Sequence, residues 1–170
     1  MNKKIIIIVL FLIVGVGILS YLNLADSEDR LKNQKESVIF LQQNGESLTE
    51  VSFENIQNLE QHEFEEVLRS SDSPDREVVY KGVLLQDLLI ENDISLAELE
   101  QVISKAVDGY TVALSQDEVK DEDNVYLVYK QDGEPLTPLE EGGSGPYQLV
   151  IREDDFGQRW NQGVMELDIR

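Results

Sequence analysis

The feature that most constrains this chain is the run "IIIIVLFLIVGVGILSYL", Ile5 to Leu22, eighteen residues without a charge. A helix of that length, rising about 1.5 Å per residue, approaches the ~30 Å of a bilayer's hydrocarbon core. Lys3 and Lys4 precede the run, so the positive-inside rule keeps the N-terminus in the cytoplasm and sends the rest of the chain outside. A cleaved secretory signal is the competing reading, since such peptides also start with positive charge followed by an apolar stretch. The run is long for that purpose, and "YLNLADSED" has no clean A-x-A site. The expectation is a transmembrane anchor over residues 1–25, single-pass in the cell membrane with an extracytoplasmic C-terminal domain. Secretion after cleavage is the alternative. The chain has no cysteine, which excludes a lipid-modified cysteine and any disulfide, so the exported domain must stand on its hydrophobic core.

Charge narrows the partners. The chain carries 34 Asp+Glu against 14 Lys+Arg, and both Lys3 and Lys4 lie before the apolar run while no acid precedes Asp26. Such a surface repels nucleic acid and anionic headgroups. "DSEDRLKNQKES", residues 26–37, is polar and free of Gly and Pro, and reads as a stalk. The remaining roughly 130 residues, 38–170, suffice for one compact domain.

Within that domain, strand and turn signals dominate. "SVIFLQQNGESLTEVSF" places Asn44-Gly45 between two half-apolar runs, a hairpin signature. Ser52 caps a short helix whose Phe53, Ile56 and Leu59 share a face. Phe64 to Leu68 suits either a helix or a strand, and "SSDSPD" is a loop on both readings. Val78 to Tyr80 reads as a strand, Gly82 as a turn, and "LLQDLLIEND" as a helix with Leu84, Leu85, Leu88 and Leu89 inward. Ser95 to Glu98 and Ser115 to Glu118 both have capping-box spacing. Asp108-Gly109 marks a second hairpin, "VYLVYK" and "YQLVI" are strands, and "VMELDIR" alternates with Met165, Leu167 and Ile169 on one side. Many strands, short helices and no βαβ period describe an α+β domain with a mixed sheet.

Most catalytic constellations are missing. His62 is the only histidine, too few for a zinc site of Cys and His ligands. The acid run Asp117 to Asn124 lacks the glycine of a calcium loop and is broken by Lys120. There is neither a G-x-S-x-G elbow nor a G-x-x-x-x-G-K-[ST] loop, and nothing singles out a glycosidase-type carboxylate pair. What remains is three loops, "LRSSDSPD", "AVDGY" and "REDDFGQRW". Each joins hydrogen-bonding side chains to an aromatic or a glycine, the mixture that a flat polar heterocycle requires. On residue types alone a second reading stays open, with Trp160 and Tyr147 as sheet core and Arg159 merely exposed.

The ordered succession "VVYKGVLLQDLL", "AVDGYTVALS", "VYLVYKQDGEPLTP", "GGSGPYQLVI" and "FGQRWNQGVMELDI" resembles the molybdopterin-binding domain of the sulfite oxidase family of oxidoreductases, in a short single-domain version. The resemblance covers Val38 to Arg170. It implies an α+β mixed-sheet fold whose loops hold a pterin. In the family's enzymes the pterin dithiolene carries molybdenum, completed by a cysteine thiolate from a loop that corresponds to Leu68 to Pro74 here. Serine stands in that place, and Ser70 and Ser71 do not substitute for a soft thiolate.

By position, the resemblance implies that Trp160, Phe156 and Tyr110 stack on the ligand, that Asp108, Asp155 and Arg159 bond its edge, and that Arg69, Ser70 and Ser71 line the former metal side. The expected function is a membrane-tethered pterin-binding module without molybdenum, non-catalytic, serving ligand sensing or the regulation of a membrane or surface partner. The alternatives are a molybdopterin-dependent oxidoreductase and a ligand-free protein-interaction domain.

Overall fold

The computed structural model describes residues 11–17, 32, 34, 36–69, 75–154 and 156–170. Residues 11–17 are helical, but most of the expected span Ile5 to Leu22 lies outside the described residues. Among the described residues no helix is long and apolar enough to cross a membrane.

Among the described residues, ten strands form two sheets. The first is built from β1 (Val38–Gln43), β2 (Glu46–Ser52), β5 (Gln101–Ala106), β6 (Thr111–Ser115) and β10 (Val164–Ile169), in the order β2-β1-β10-β5-β6. Its β1–β10 pair is parallel while its other pairs are antiparallel, so the sheet is mixed, as the patterning predicts. The second holds β3 (His62–Leu68), β4 (Arg76–Leu84), β7 (Val125–Gln131), β8 (Glu134–Pro135) and β9 (Gln148–Ile151). There β3 pairs with β4 and β4 with β7, and both β8 and β9 pair with β7. Short helices join the strands: α1 (Phe53–Asn58), α2 (Leu85–Glu91) and α3 (Gln116–Lys120). One continuous core draws on both sheets, including Ile39, Leu41, Leu114, Leu127, Leu149 and Leu167.

The turns follow from local chemistry. Asn44 and Gly45 both have positive φ, 54° and 81°, as a two-residue turn twisted to match its strands requires. Ser52 with Asn55, and Ser115 with Glu118, form reciprocal capping boxes that start α1 and α3. The same spacing at Ser95 to Glu98 makes only a turn, closed by the Glu98 N–H donating to the Ser95 carbonyl at 3.2 Å.

Tertiary context settles one open reading and changes three expectations. Phe64 to Leu68 is a strand, because its partner β4 supplies a full antiparallel ladder from His62↔Gly82 to Leu68↔Arg76. Gly82 is not a turn but an interior residue of β4. A Cβ there would stand 2.3 Å from the Leu127 carbonyl oxygen, so glycine is what lets β4 close onto β7 at a register shift between Lys81 and Gly82. β10 does not alternate cleanly: it lies between β1 and β5, Met165 is exposed, and Leu167, Asp168 and Ile169 are all buried. Asp168 is tolerated there because Gly45 N–H and the Arg170 guanidinium donate to its carboxylate at 2.9 and 3.0 Å. Finally, Gln34, grouped with the stalk by composition, is buried and donates through Nε2 to the Tyr129 carbonyl at 2.5 Å.

Candidate functional site

The connection from β9 to β10, Arg152 to Gly163, is fastened at its base. Arg152 N–H donates to the Asn124 carbonyl at 3.0 Å and Glu153 N–H to Asn124 Oδ1 at 3.1 Å. At the other end Leu149 N–H donates to the Asn161 carbonyl at 2.8 Å, and Gly163 N–H to the Ser144 carbonyl at 2.9 Å. Between these points lies a single 3-10 turn, Gly157–Arg159, preceded by Phe156, which is 61% exposed.

A cleft of about 760 Å³ opens between this connection, the end of β3 and the start of β9. Val67, Leu68 and Arg69 form one side, Phe156, Gly157 and Trp160 another, and Gln148 lines it from β9. Two smaller hollows of about 270 Å³ adjoin it and share Gly157 and Trp160 with it. One is lined by Glu66, Arg69, Arg152 and Asp154, the other by Asp108, Tyr110, Gln158 and Asn161.

Trp160 is a buried wall. Its indole N–H donates to the Ile151 carbonyl at 2.9 Å, and its ring meets Tyr80 edge-on at 6.0 Å. A Cβ built on Gly157 would come within 2.9 Å of Trp160 Cδ2, so backbone lies against the indole where a side chain would not fit. Burial pushes the Tyr80 hydroxyl up to about 12, which keeps it neutral beside the ring.

The other predicted site residues divide between the hollows. Arg69, Phe156 and Trp160 line the main cleft, while Asp108 and Tyr110 line the adjoining hollow with Trp160. Asp108 Oδ1 accepts the Tyr110 N–H at 2.9 Å, and the Tyr110 hydroxyl donates to the Gln158 carbonyl at 3.0 Å, tying the β5–β6 hairpin to the 3-10 turn. Arg159 points elsewhere: its Nη1 donates to Glu118 at 2.8 Å and its Nη2 to Asp154. Burial pushes the Glu118 carboxyl up, but the Ser115 N–H and hydroxyl and the Arg159 guanidinium outweigh it and hold that carboxyl below its ordinary value. Ser70, Ser71 and Asp155 lie outside the described residues.

Two residues at the site escaped sequence reasoning. Gln148 is 2% exposed, and its Oε1 has no hydrogen-bond partner. Asn161 is fully buried and donates Nδ2 to the Ser104 hydroxyl at 2.9 Å, and its Oδ1 likewise has no partner. A buried acceptor left unsatisfied costs about 1–3 kcal/mol, so native proteins keep few of them without a reason. The visible signal for Gln148 was a single polar residue inside the otherwise apolar strand "YQLVI".

Residues 33–160 match the family model described as the oxidoreductase molybdopterin binding domain. Among solved structures, the chain is similar to the sulfane dehydrogenase SoxCD from Paracoccus pantotrophus, with a TM-score of 0.64 and 17% sequence identity. The likeness takes in 80% of this chain and 38% of that one; at such identity it speaks to the fold. No curated protein matches the chain significantly.

Proposed function

The chain belongs to the oxidoreductase molybdopterin binding domain family, and from that premise we propose that it binds a molybdopterin-type ligand by its pterin in the cleft beside Trp160. The observation that carries the proposal is Gln148, a buried side chain lining the cleft with an unpartnered acceptor oxygen. The amino-pyrimidinone edge of a pterin presents N–H donors, which such an oxygen needs. Phe156, exposed at the cleft's rim, supplies an aromatic face for stacking.

The pterin and the metal fare differently. A molybdenum held by a protein thiolate has no ligand here, since the chain has no cysteine. Among the described residues no group of three His, Cys, Asp or Glu is arranged to hold a metal ion. A molybdenum held by the dithiolene of such a ligand would supply two-electron redox chemistry at the metal. This chain's own contribution would be to seat the pterin and shield it with Trp160, Leu68 and Phe156.

An oxidoreductase role is the use of the ligand that the family and the dehydrogenase neighbour support. A metal-free, non-catalytic sensing module is the second reading, and the missing cysteine favours it. Placement outside the cell membrane, tethered through Ile5 to Leu22, belongs to the same proposal and is supported by the uncharged run and the lysines before it.

Trp160 is the sole tryptophan, so its emission reports on the cleft. A tetrahydropterin titrated into the purified domain is expected to quench that emission and raise the melting temperature. The gain amounts to about 2.7 kcal/mol at a hundred times Kd. No change in either signal at millimolar pterin overturns the proposal. Metal analysis after growth with molybdate separates the two uses: stoichiometric molybdenum supports the oxidoreductase, and bound pterin without metal supports the sensing module.

A further inference from the structure

The hollow of about 270 Å³ between the β5–β6 hairpin and the 3-10 turn has a chemistry of its own. Asp108 and Tyr110 line it from the hairpin, Gln158 from the turn, and Asn161 from the approach to β10. Among the described residues that line it there is no Lys, Arg or His. Asn161 is fully buried, and its Nδ2 donates to the Ser104 carbonyl at 3.2 Å and to the Ser104 hydroxyl at 2.9 Å. Only the nitrogen end of an amide can donate to a carbonyl. The side chain's orientation is therefore fixed, and Oδ1, which has no partner, is the atom still in need of a donor. Asp108 adds a carboxylate, steadied by the Tyr110 N–H on its Oδ1 at 2.9 Å, with further lone pairs to offer. Tyr110 is 49% exposed and is held in place by its hydroxyl donating to the Gln158 carbonyl at 3.0 Å.

We propose that this hollow is a separate binding site for a small organic cation carrying N–H donors, a guanidinium or a primary ammonium group. Asn161 Oδ1 and the Asp108 carboxylate both accept hydrogen bonds, and such a cation supplies several donors at once. The Tyr110 ring offers the cation an aromatic neighbour. An anion would meet Asp108 with no cationic side chain in the lining to offset it. A cation without N–H groups would answer the charge of Asp108 and leave Asn161 Oδ1 unpaired. The surplus of 34 Asp+Glu over 14 Lys+Arg also concentrates cations near the surface. The site does not depend on the pterin reading: Asp108 and Tyr110, which the resemblance gives to the pterin, line this hollow and not the main cleft.

The test titrates the full chain, purified in a non-ionic detergent, with methylguanidinium at millimolar concentration, following backbone amide resonances by NMR. Saturable shifts confined to Asp108, Tyr110 and the segment Gly157 to Gln162 are expected. Tetramethylammonium, equal in charge but without N–H groups, should bind about tenfold more weakly. Asp108→Asn keeps an oxygen for the Tyr110 N–H and removes only the charge, so it should fold normally and weaken methylguanidinium about tenfold. An N-acetylated arginine amide separates two sources of the same group. Tighter binding than methylguanidinium points to an arginine side chain of a partner and weaker binding to a free small cation, and the site stands in both cases. Shifts that do not saturate, or equal binding of tetramethylammonium, mean diffuse attraction to an acidic surface and overturn the proposal. Displacement of methylguanidinium by a tetrahydropterin would merge the hollow with the pterin site and overturn it too. If methylguanidinium does not bind while a pterin still quenches Trp160, this site falls and the pterin reading stands.

Discussion

Gly157 lies against the indole of Trp160 so closely that a Cβ on the glycine would sit 2.9 Å from Cδ2 and 3.1 Å from Cε3 of the ring. The contact joins the exposed turn to the buried wall of the cleft, because Trp160 is itself anchored to the Ile151 carbonyl. Gly157→Ala must move either the 3-10 turn or the indole. Overpacking of this kind costs about 1–3 kcal/mol. Urea denaturation of the variant should show a loss in that range, together with a shifted Trp160 emission maximum. Unchanged emission would mean that the turn yields and the ring does not.

Gln148→Leu separates stability from binding. The variant removes a buried acceptor that has no partner while keeping a side chain of similar volume, so relief of the unsatisfied oxygen works against any loss of packing. Stability in thermal denaturation should stay within about 1 kcal/mol of the unaltered protein. Pterin affinity, followed through Trp160, should fall about tenfold, the equivalent of roughly 1.4 kcal/mol.

Glu118 does two jobs. Its Oε2 accepts from the Ser115 N–H at 2.8 Å and so starts α3, while its Oε1 holds Arg159. Its carboxyl is lowered in the folded protein, so the unfolded chain binds its proton more readily. The stabilisation is present above the ordinary Glu value and is lost as pH falls through the lower folded value. A series of denaturation curves from about pH 6 down to about pH 3 should show stability falling with pH. Glu118→Gln should flatten part of that dependence, and an identical slope in the variant would show that Glu118 does not contribute to it.

Gly82→Ala tests the closest approach in the second sheet. The added methyl would lie 2.3 Å from the Leu127 carbonyl oxygen and 2.6 Å from Val128 Cα, both backbone atoms that cannot swing aside. The expected cost is about 3 kcal/mol, read as a lower midpoint in denaturant, with the β4–β7 amides exchanging fastest in hydrogen-exchange measurements.

Local signals decided much of the fold. The Asn44-Gly45 and Asp108-Gly109 hairpins, the capped helices at Ser52 and Ser115, and the strand "VYLVYK" depend on residues within a few positions of one another, and they form where expected. The overall α+β class followed from the same elements, and the order of five motifs pointed to the family. Where a segment's fate depends on a distant partner, patterning misled. Gly82 entered a strand because of Leu127, and β10 lost its alternation by lying between β1 and β5; Phe64 to Leu68, open between helix and strand by pattern, became a strand through β4.

The site divides along the same line. By itself, the sequence determined that Trp160 is unique, that no cysteine thiolate exists to hold a metal, and that the domain is acidic. All three are facts of composition, indifferent to folding. Only the tertiary structure decided that Trp160 is a hydrogen-bonded wall rather than an open platform, that Arg159 is taken up by Glu118 and Asp154, and that Gln148 carries an unpartnered oxygen in the cleft. Those outcomes depend on which atoms the fold brings together, over nine residues for Trp160 and Ile151 and over far more for Arg159 and Glu118. Burial and pairing are properties of such meetings, and they have no counterpart in the order of residues alone.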